Sequence, residues 1–544
     1  MRKILLALFS FCIIAFYFYW QLPNSETIVV TKTENNTTAT LIPLDSRPVC
    51  TKLPQQLANL AGVDLILPPN EFLDNYRTPA KKEKIIEWLF QRPITDKATY
   101  ISNDMLLSGS LIQARKQAAT ISDQEKLLKL LTELKRSRNS LATFQVIPRL
   151  LVSDELIPDR WYKYSLLRYA QLYDMVETFN DFHMTEQLEE TIKSIPSDVL
   201  NKYCLRYNNQ DILNAKLIQL ADSQLSITIG QDDASPFGLP HRSANLVDLK
   251  LLKLAKPLEQ ATLTYGADEI ASVLIARTYL KESSFTPKVF IQYADNSIPN
   301  LIMPYMPISV EGIISEKLAF LNTIRTHDKS NADIILYVNC GSDNYSPSRK
   351  QALELRELIS KNQYVALLDL SANFEEKELL LPQALKFDVP LNKLCAYAGW
   401  NTFSNSAGTV LAQAVIFVGR EKELSTAKQK LQLRTENLEF TINRLLDDYV
   451  YQKKLHANLK KELLMRGIEP TELNQHDHQY AQALAQFFLK NQALLLLHSN
   501  LGKTPYYTEQ NNNYYIKDID IKAKLPWPRI FEVELSTKLT IGKN

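Results

Sequence analysis

Two pairs of adjacent carboxylates, Asp232-Asp233 and Asp268-Glu269, are the residues of this chain best suited to chemistry. Each follows a short β-branched or apolar run, residues 225–229 before the first pair and 261–265 before the second. Runs of that kind read as buried strands. Two acids held side by side at the end of a strand shift each other's pKa, which suits proton transfer or metal binding. The competing structural reading is an Asx-turn followed by a helix N-cap. Other predicted strands end in the same manner, at Asp45-Ser46-Arg47, Asn103-Asp104, Pro148-Arg149, Asn339, Asp369 and Gly399-Trp400-Asn401.

These strand ends supply candidate binding residues. Arg47 can grip a carboxylate or phosphate with its planar fork, or pair with Asp45 and fix the first loop. Asp104 either faces a ligand or caps the helix that follows. Arg149 is a candidate clamp for an anionic group, and Asn339 a candidate polar contact. Trp400 beside Asn401 joins an aromatic platform to an amide, a way to hold a pyranose ring by stacking and hydrogen bonds. The sequence therefore nominates Asp232, Asp233, Asp268 and Glu269 as catalytic residues. It nominates Asp45, Arg47, Asp104, Arg149, Asn339, Trp400 and Asn401 for substrate binding.

A glycosidase needs one carboxyl of raised pKa as the acid and one ionised partner, and the paired acids can supply both. Gly266-Ala267-Asp268-Glu269 is similar to the Gly-x-Asp-Glu signature of β-hexosaminidases. That resemblance implies Glu269 as general acid and Asp268 as the residue orienting the substrate's acetamido group. The expected function is a glycoside-hydrolase-like enzyme acting on cell-envelope or environmental glycan. The first alternative is a metal-dependent hydrolase, with Asp45, Asp104, Asp232, Asp233 and Asp369 as hard oxygen donors to Mg²⁺, Mn²⁺ or Ca²⁺. Zinc is disfavoured, because the chain has seven histidines and His241 alone lies near a strand-end motif. No other cofactor is expected. The second alternative is a non-catalytic, membrane-tethered protein that binds glycans or small anionic ligands. Ser-His-Asp catalysis lacks its GxSxG elbow.

These residues need a scaffold that gathers strand ends. Apolar runs of strand length recur near residues 40, 63, 99, 144, 225, 261, 288, 333, 364 and 393, with helical patterns between them. Strands alternating with helices imply an α/β fold with a parallel sheet. Because candidate site residues recur at carboxyl ends, the pattern favours a (β/α)8 TIM-like barrel over 40–420, with a helical insertion at about 155–222. One or two doubly wound α/β domains are the alternative. Residues 421–544 read as mainly helical, ending in the strand-like LPWPRIFEVELSTKL.

Bulk composition narrows the partners. The chain of 544 residues carries 62 basic and 60 acidic side chains, which gives no electrostatic case for nucleic acid. Neither GxGxxG nor GxxxxGK[ST] occurs, so no phosphate loop is present. The five cysteines lack CxxC spacing and form no disulfide framework. Arg2 and Lys3 precede an uncharged run from Ile4 to Trp20. Residues 1–20 are read as a signal-anchor or signal peptide and 21–39 as a flexible tether. The expectation is a body outside the cytoplasm, membrane-anchored or secreted.

Six segments follow one another along the chain: LIPLDSRPVC, YISNDMLLSGSLIQAR, DDASPFGLP, YGADEIASVLIAR, YAGWNTFSNSAGTVLAQA and LPWPRIFEVEL. In this order they resemble a bacterial family catalogued as domain-of-unknown-function family 4127. The resemblance runs from about residue 40 to 535 and implies no established activity.

Overall fold

The computed structural model describes residues 26–28, 35, 37–152, 159–361, 363–509 and 511–543. The N-terminal apolar run and most of the tether lie outside the described residues. Among the described residues no helix is long and apolar enough to cross a membrane.

Six strands open the fold: β1 (Glu26–Ile28), β2 (Thr38–Ile42), β3 (Asp64–Ile66), β4 (Thr99–Ser102), β5 (Leu141–Ile147) and β6 (Leu225–Gln231). They are followed by β7 (Ala261–Tyr265), β8 (Lys288–Tyr293), β9 (Ile324–Arg325), β10 (Ile334–Gly341), β11 (Val365–Ser371) and β12 (Ala396–Ala398). The chain closes with β13 (Tyr507–Glu509), β14 (Asn512–Lys524) and β15 (Glu534–Lys543).

Two sheets are parallel throughout. One has six strands in the order β3-β2-β4-β5-β6-β7, and the other five in the order β12-β11-β10-β8-β9. Every residue of β5, β10 and β11 is buried, as expected where helices cover both faces of a parallel sheet. The expected α/β class with a parallel core is present, but the favoured barrel is not its form. In each sheet the chain steps out to one side, from β2 to β3 or β8 to β9. It then returns past its starting strand to continue on the other side. That reversal leaves two free edges, whereas a barrel needs each strand beside its predecessor until the ring closes. The alternative of two doubly wound units is the one observed. Each has a topological switch point, between β2 and β4 in one and between β8 and β10 in the other, and ligands of open α/β sheets bind at such crevices.

The helix Phe403–Glu423 lies between the units, packing on the helix Ile270–Glu282 of the first and on β11 and β12 of the second. Its sequence FSNSAGTVLAQAVIFVG has no polar stripe, and nearly all its residues are buried. Gln413 is satisfied inside this core: its Oε1 accepts from the Tyr397 amide at 3.2 Å, and its Nε2 donates to Asn437 Oδ1 and Thr441 Oγ1, both at 2.9 Å.

Helices Ala427–Arg444, His456–Met465 and Gln475–Leu496 follow, with a π-helical stretch, Leu445–Leu455, joining the first two. An antiparallel sheet β1-β15-β14-β13 completes the chain. Along β14, Ile519, Ile521 and Ala523 are buried while Asp518, Asp520 and Lys522 point outward, the alternation of a sheet with one covered face. The link from β14 to β15 reaches back to the first unit. There Trp527 is buried and its indole nitrogen donates to Ser46 Oγ at 2.8 Å.

Candidate functional site

The carboxyl ends of β2, β6 and β7, a segment of the first unit's helices and the β14–β15 link enclose a cavity of about 230 Å³. Its charged lining is Arg47, Arg115, Arg149, Arg529, Asp232, Asp233 and Asp268. A second chamber of about 250 Å³ shares Arg47, Asn401 and Phe531 with the first and adds Leu370, Phe374, Trp400, Asp447, Lys453 and Glu532. The two form one cleft with a charged end and an aromatic end.

Arg47 sits where the units of charge meet. Its Nε lies 2.9 Å from Asp45 Oδ2 and its Nη2 2.7 Å from the same oxygen, while Nη2 and Nη1 reach the two oxygens of Asp268 at 2.6 and 3.1 Å. Asp45 is fully buried and lies behind Arg47, outside the lining, so the salt bridge read from the sequence is real and holds Arg47 towards the cleft. Asp74 anchors the same loop by accepting from the Ser46 amide at 2.8 Å. Burial, with Asp45 nearby, pushes its carboxyl up to about 8.

The Asp232-Asp233 pair is split by its surroundings. Burial alone pushes Asp232 up, but Arg115, bonded at 2.5 Å, and Arg149 outweigh it, and its pKa falls below the ordinary value. Asp233 stands 3.8 Å from Arg149, and although Arg149 and Arg115 oppose the rise it is pushed up to about 7 by burial and by the charge of Asp232. One carboxylate is thus held ionised beside another poised near neutrality, the division of labour acid–base chemistry uses. The loop is pinned by the Leu150 amide, which donates to the Asp233 carbonyl at 2.8 Å.

The second pair divides differently. Asp268 turns to Arg47, whereas Glu269 turns into the core and pairs with Lys317 at 3.0 Å, both side chains almost wholly buried. Lys317 also donates to Thr264 Oγ1 at 2.7 Å and the Tyr265 carbonyl at 2.6 Å. Burial raises the pKa of Glu269, and Lys317 opposes that rise. Gly266 makes this packing fit: its φ is +107°, and a Cβ there would stand 2.1 Å from Glu269 Oε1. The four-residue likeness to a hexosaminidase acid therefore places Glu269 in an ion pair between the units, away from the cleft.

Three other nominated residues serve the scaffold. Asp104 is buried, accepting from Gln145 Nε2 at 2.7 Å and the Val146 amide at 3.0 Å, and burial pushes it to about 7. Asn339 is buried and donates to Asp369 Oδ1 at 2.7 Å and the Glu378 carbonyl at 3.0 Å. Asp369 accepts from the amides of Leu380 and Leu381, both at 2.8 Å. The five aspartates proposed as metal ligands thus share no common centre. Among the described residues the group with ligand spacing is Asp45, Cys50 and Asp268. It does not fit a metal well, because the Arg47 guanidinium already bridges the two carboxylates and burial pushes the Cys50 thiol well up.

Arg47, Arg149, Trp400 and Asn401 do line the cleft. Asn401 adopts φ +51°, a left-handed conformation that asparagine tolerates. Sequence reasoning missed Arg115, Arg529, Phe531 and Lys453. The first three lie inside YISNDMLLSGSLIQAR and LPWPRIFEVEL, so the motifs marked them, but periodicity alone did not say that they turn inward. Lys453 lies on the π-helix, whose i→i+5 winding no simple pattern reveals.

A family model described as "Protein of unknown function (DUF4127)" matches residues 39–536. No curated protein matches the chain.

Proposed function

The chain belongs to the DUF4127 family, and we propose that its cleft is that of a glycan-acting, glycoside-hydrolase-like enzyme with Asp233 as the proton donor. The observation that carries this reading is the split Asp232-Asp233 pair on the wall of the two-chambered cleft. A carboxyl poised near 7 can protonate a leaving oxygen, while an ionised neighbour stabilises developing positive charge. The lining also suits a polyhydroxylated ligand. Each arginine of the charged chamber stands beside an acidic side chain, so the surface offers many directed donors and acceptors. Trp400, Phe374 and Phe531 add apolar faces of the kind on which sugar rings stack. Size supports one ligand across both chambers. Ligand pockets run from about 300 to 1,000 Å³, which neither chamber reaches alone and the two together do. With the N-terminal apolar run as an anchor or signal, this enzyme would work outside the cytoplasm.

One observation favours a second reading, a binding protein without turnover. Asp232 and Asp268 are both already engaged by arginines. The experiment that separates the two assays purified protein against a panel of bacterial and plant glycans for reducing ends released, with Asp233→Asn in parallel. Release by the parent and not by the variant supports the hydrolase. Glycan binding without release by either supports the binding protein, and no binding of any glycan overturns both.

A further inference from the structure

The two chambers differ in how their cations are held, and the difference concerns Lys453. In the charged chamber Arg47, Arg115, Arg149 and Arg529 each stand within 4.0 Å of an aspartate or glutamate. In the aromatic chamber Lys453 does not. Its Nζ donates to the Phe374 carbonyl at 3.3 Å and lies 5.5 Å from the centre of the Phe374 ring. Among the described residues no carboxylate stands within 4.0 Å of it.

The acids nearest to it are committed elsewhere. Asp369 accepts from two backbone amides and from Asn339. Asp448 is held by Arg444 at 3.0 Å and by the Gly399 amide at 2.8 Å, and Asp447 by Arg444 at 2.6 Å. Glu378 accepts from Ser371 Oγ at 2.6 Å and from Asn373. The side chain is half-buried along its stem, while its Nζ reaches solvent at the chamber, where an incoming ligand can meet it. Burial draws its pKa below the ordinary lysine value, as expected for an ammonium short of counter-charge.

The backbone holds this arrangement. Asp447, Gln452 and Lys453 all line the chamber from the π-helix Leu445–Leu455. Positions five apart lie on one face of an i→i+5 helix but about 140° apart on an α-helix. The wider winding is therefore what presents this part of the chain to the cleft, and π-helical turns are frequent at functional sites.

We infer that the glycan taken by this cleft carries an anionic group, a carboxylate or a phosphate, on the unit that fills the aromatic chamber, and that Lys453 recognises it. This rests on the glycan reading and names the class of glycan. The ring of that unit lies against Trp400, Phe374 and Phe531, and its anion completes the ion pair that the protein leaves open.

The test is calorimetric titration of the full-length protein with glucose, glucuronate and glucose 6-phosphate at low ionic strength, followed by Lys453→Met and Lys453→Arg. At least one acidic sugar is expected to bind about tenfold or more tightly than glucose, with the preference weakening in added salt. The glucuronate and phosphate arms decide which anion is meant. Lys453→Met brings the acidic-to-neutral ratio to about one, and Lys453→Arg retains it. Because the ratio is measured within one protein sample, a loss of folded material does not imitate the result. Glucose binding as tightly as both acidic sugars overturns the inference and leaves the glycan reading standing, as does a preference that survives Lys453→Met. Failure of all three sugars to bind overturns both.

Discussion

The two parallel sheets are wound alike, yet their carboxyl ends do different work. In the first unit the acids after β2, β6 and β7 meet arginines, Asp45 and Asp268 with Arg47 and Asp232 with Arg115, while Asp104 after β4 serves the scaffold. In the second, Asp369 and Asn339 are both spent on the loop after β11, on the amides of Leu380 and Leu381 and the Glu378 carbonyl. An aspartate after a strand is thus a site residue or a loop fastener according to what lies within reach. Where free backbone N–H groups are close, as at Leu380 and Leu381, they take the carboxylate. Where a long side chain reaches in from another element, the carboxylate stays at the cleft.

The sharpest way to break this contrast is to neutralise one acid of each kind. Asp233→Asn is expected to lower turnover of the glycan substrate by about 10²–10⁴-fold with the fold intact, the range seen for a positioned acid. The parent rate is expected to fall as pH rises through about 7, where Asp233 loses its proton. Asp369→Asn should leave turnover per folded molecule close to the parent and lower thermal stability instead. If it were Asp369→Asn that silenced a well-folded enzyme, the division between the two sheet ends would be wrong.

Glu269 gives a second, smaller test within the first unit. Glu269→Gln removes one partner of a buried lysine, which costs roughly 3 kcal/mol, read from urea unfolding. Glycan affinity per folded molecule should not change, whereas a glycosidase acid at that position would lose its rate. A weaker effect again is expected at the aromatic wall. Trp400→Ala should loosen glycan binding by about 1 kcal/mol, or roughly fivefold in Kd, by titration calorimetry.

A last test is a slope. Asp74, Asp104 and Asp448 are pushed by burial to about 8, 7 and 7, and Asp369 to about 6. Between pH 4 and 8 the folded chain therefore holds protons that an unfolded chain, with ordinary carboxyl values of about 4, has released. Stability falls with pH wherever the native state binds more protons. Tm should accordingly drift down from pH 5 to pH 8, and Asp104→Asn should flatten part of the slope.

Much of the fold could be read from the chain, and the reason is local. Strand and helix alternation is written in residue patterns, so the α/β class and the strands around Ser226–Ile229 and 261–265 were legible. The order in which strands sit side by side is not, because the same alternation satisfies a barrel and a doubly wound sheet. The site shows the same limit. Asp232, Asp233, Asp268, Arg47, Arg149, Trp400 and Asn401 stood out because each follows a strand, and all line the cleft. Glu269 looked equal to its neighbour, since nothing local tells that Lys317 waits on the other side. Arg115 and Arg529 arrive from a short helix and a distant link, and their relevance is set by tertiary approach alone.

The cleft is begun by Arg47 and roofed by Arg529 and Phe531, with Trp527 fastening the roof to Ser46. Almost the whole chain must be made before the last wall exists. A nascent chain or a product clipped near its C-terminus would carry the acids with no enclosure around them. An enclosed cleft therefore exists only once the segment carrying Arg529 and Phe531 has packed back onto the first unit.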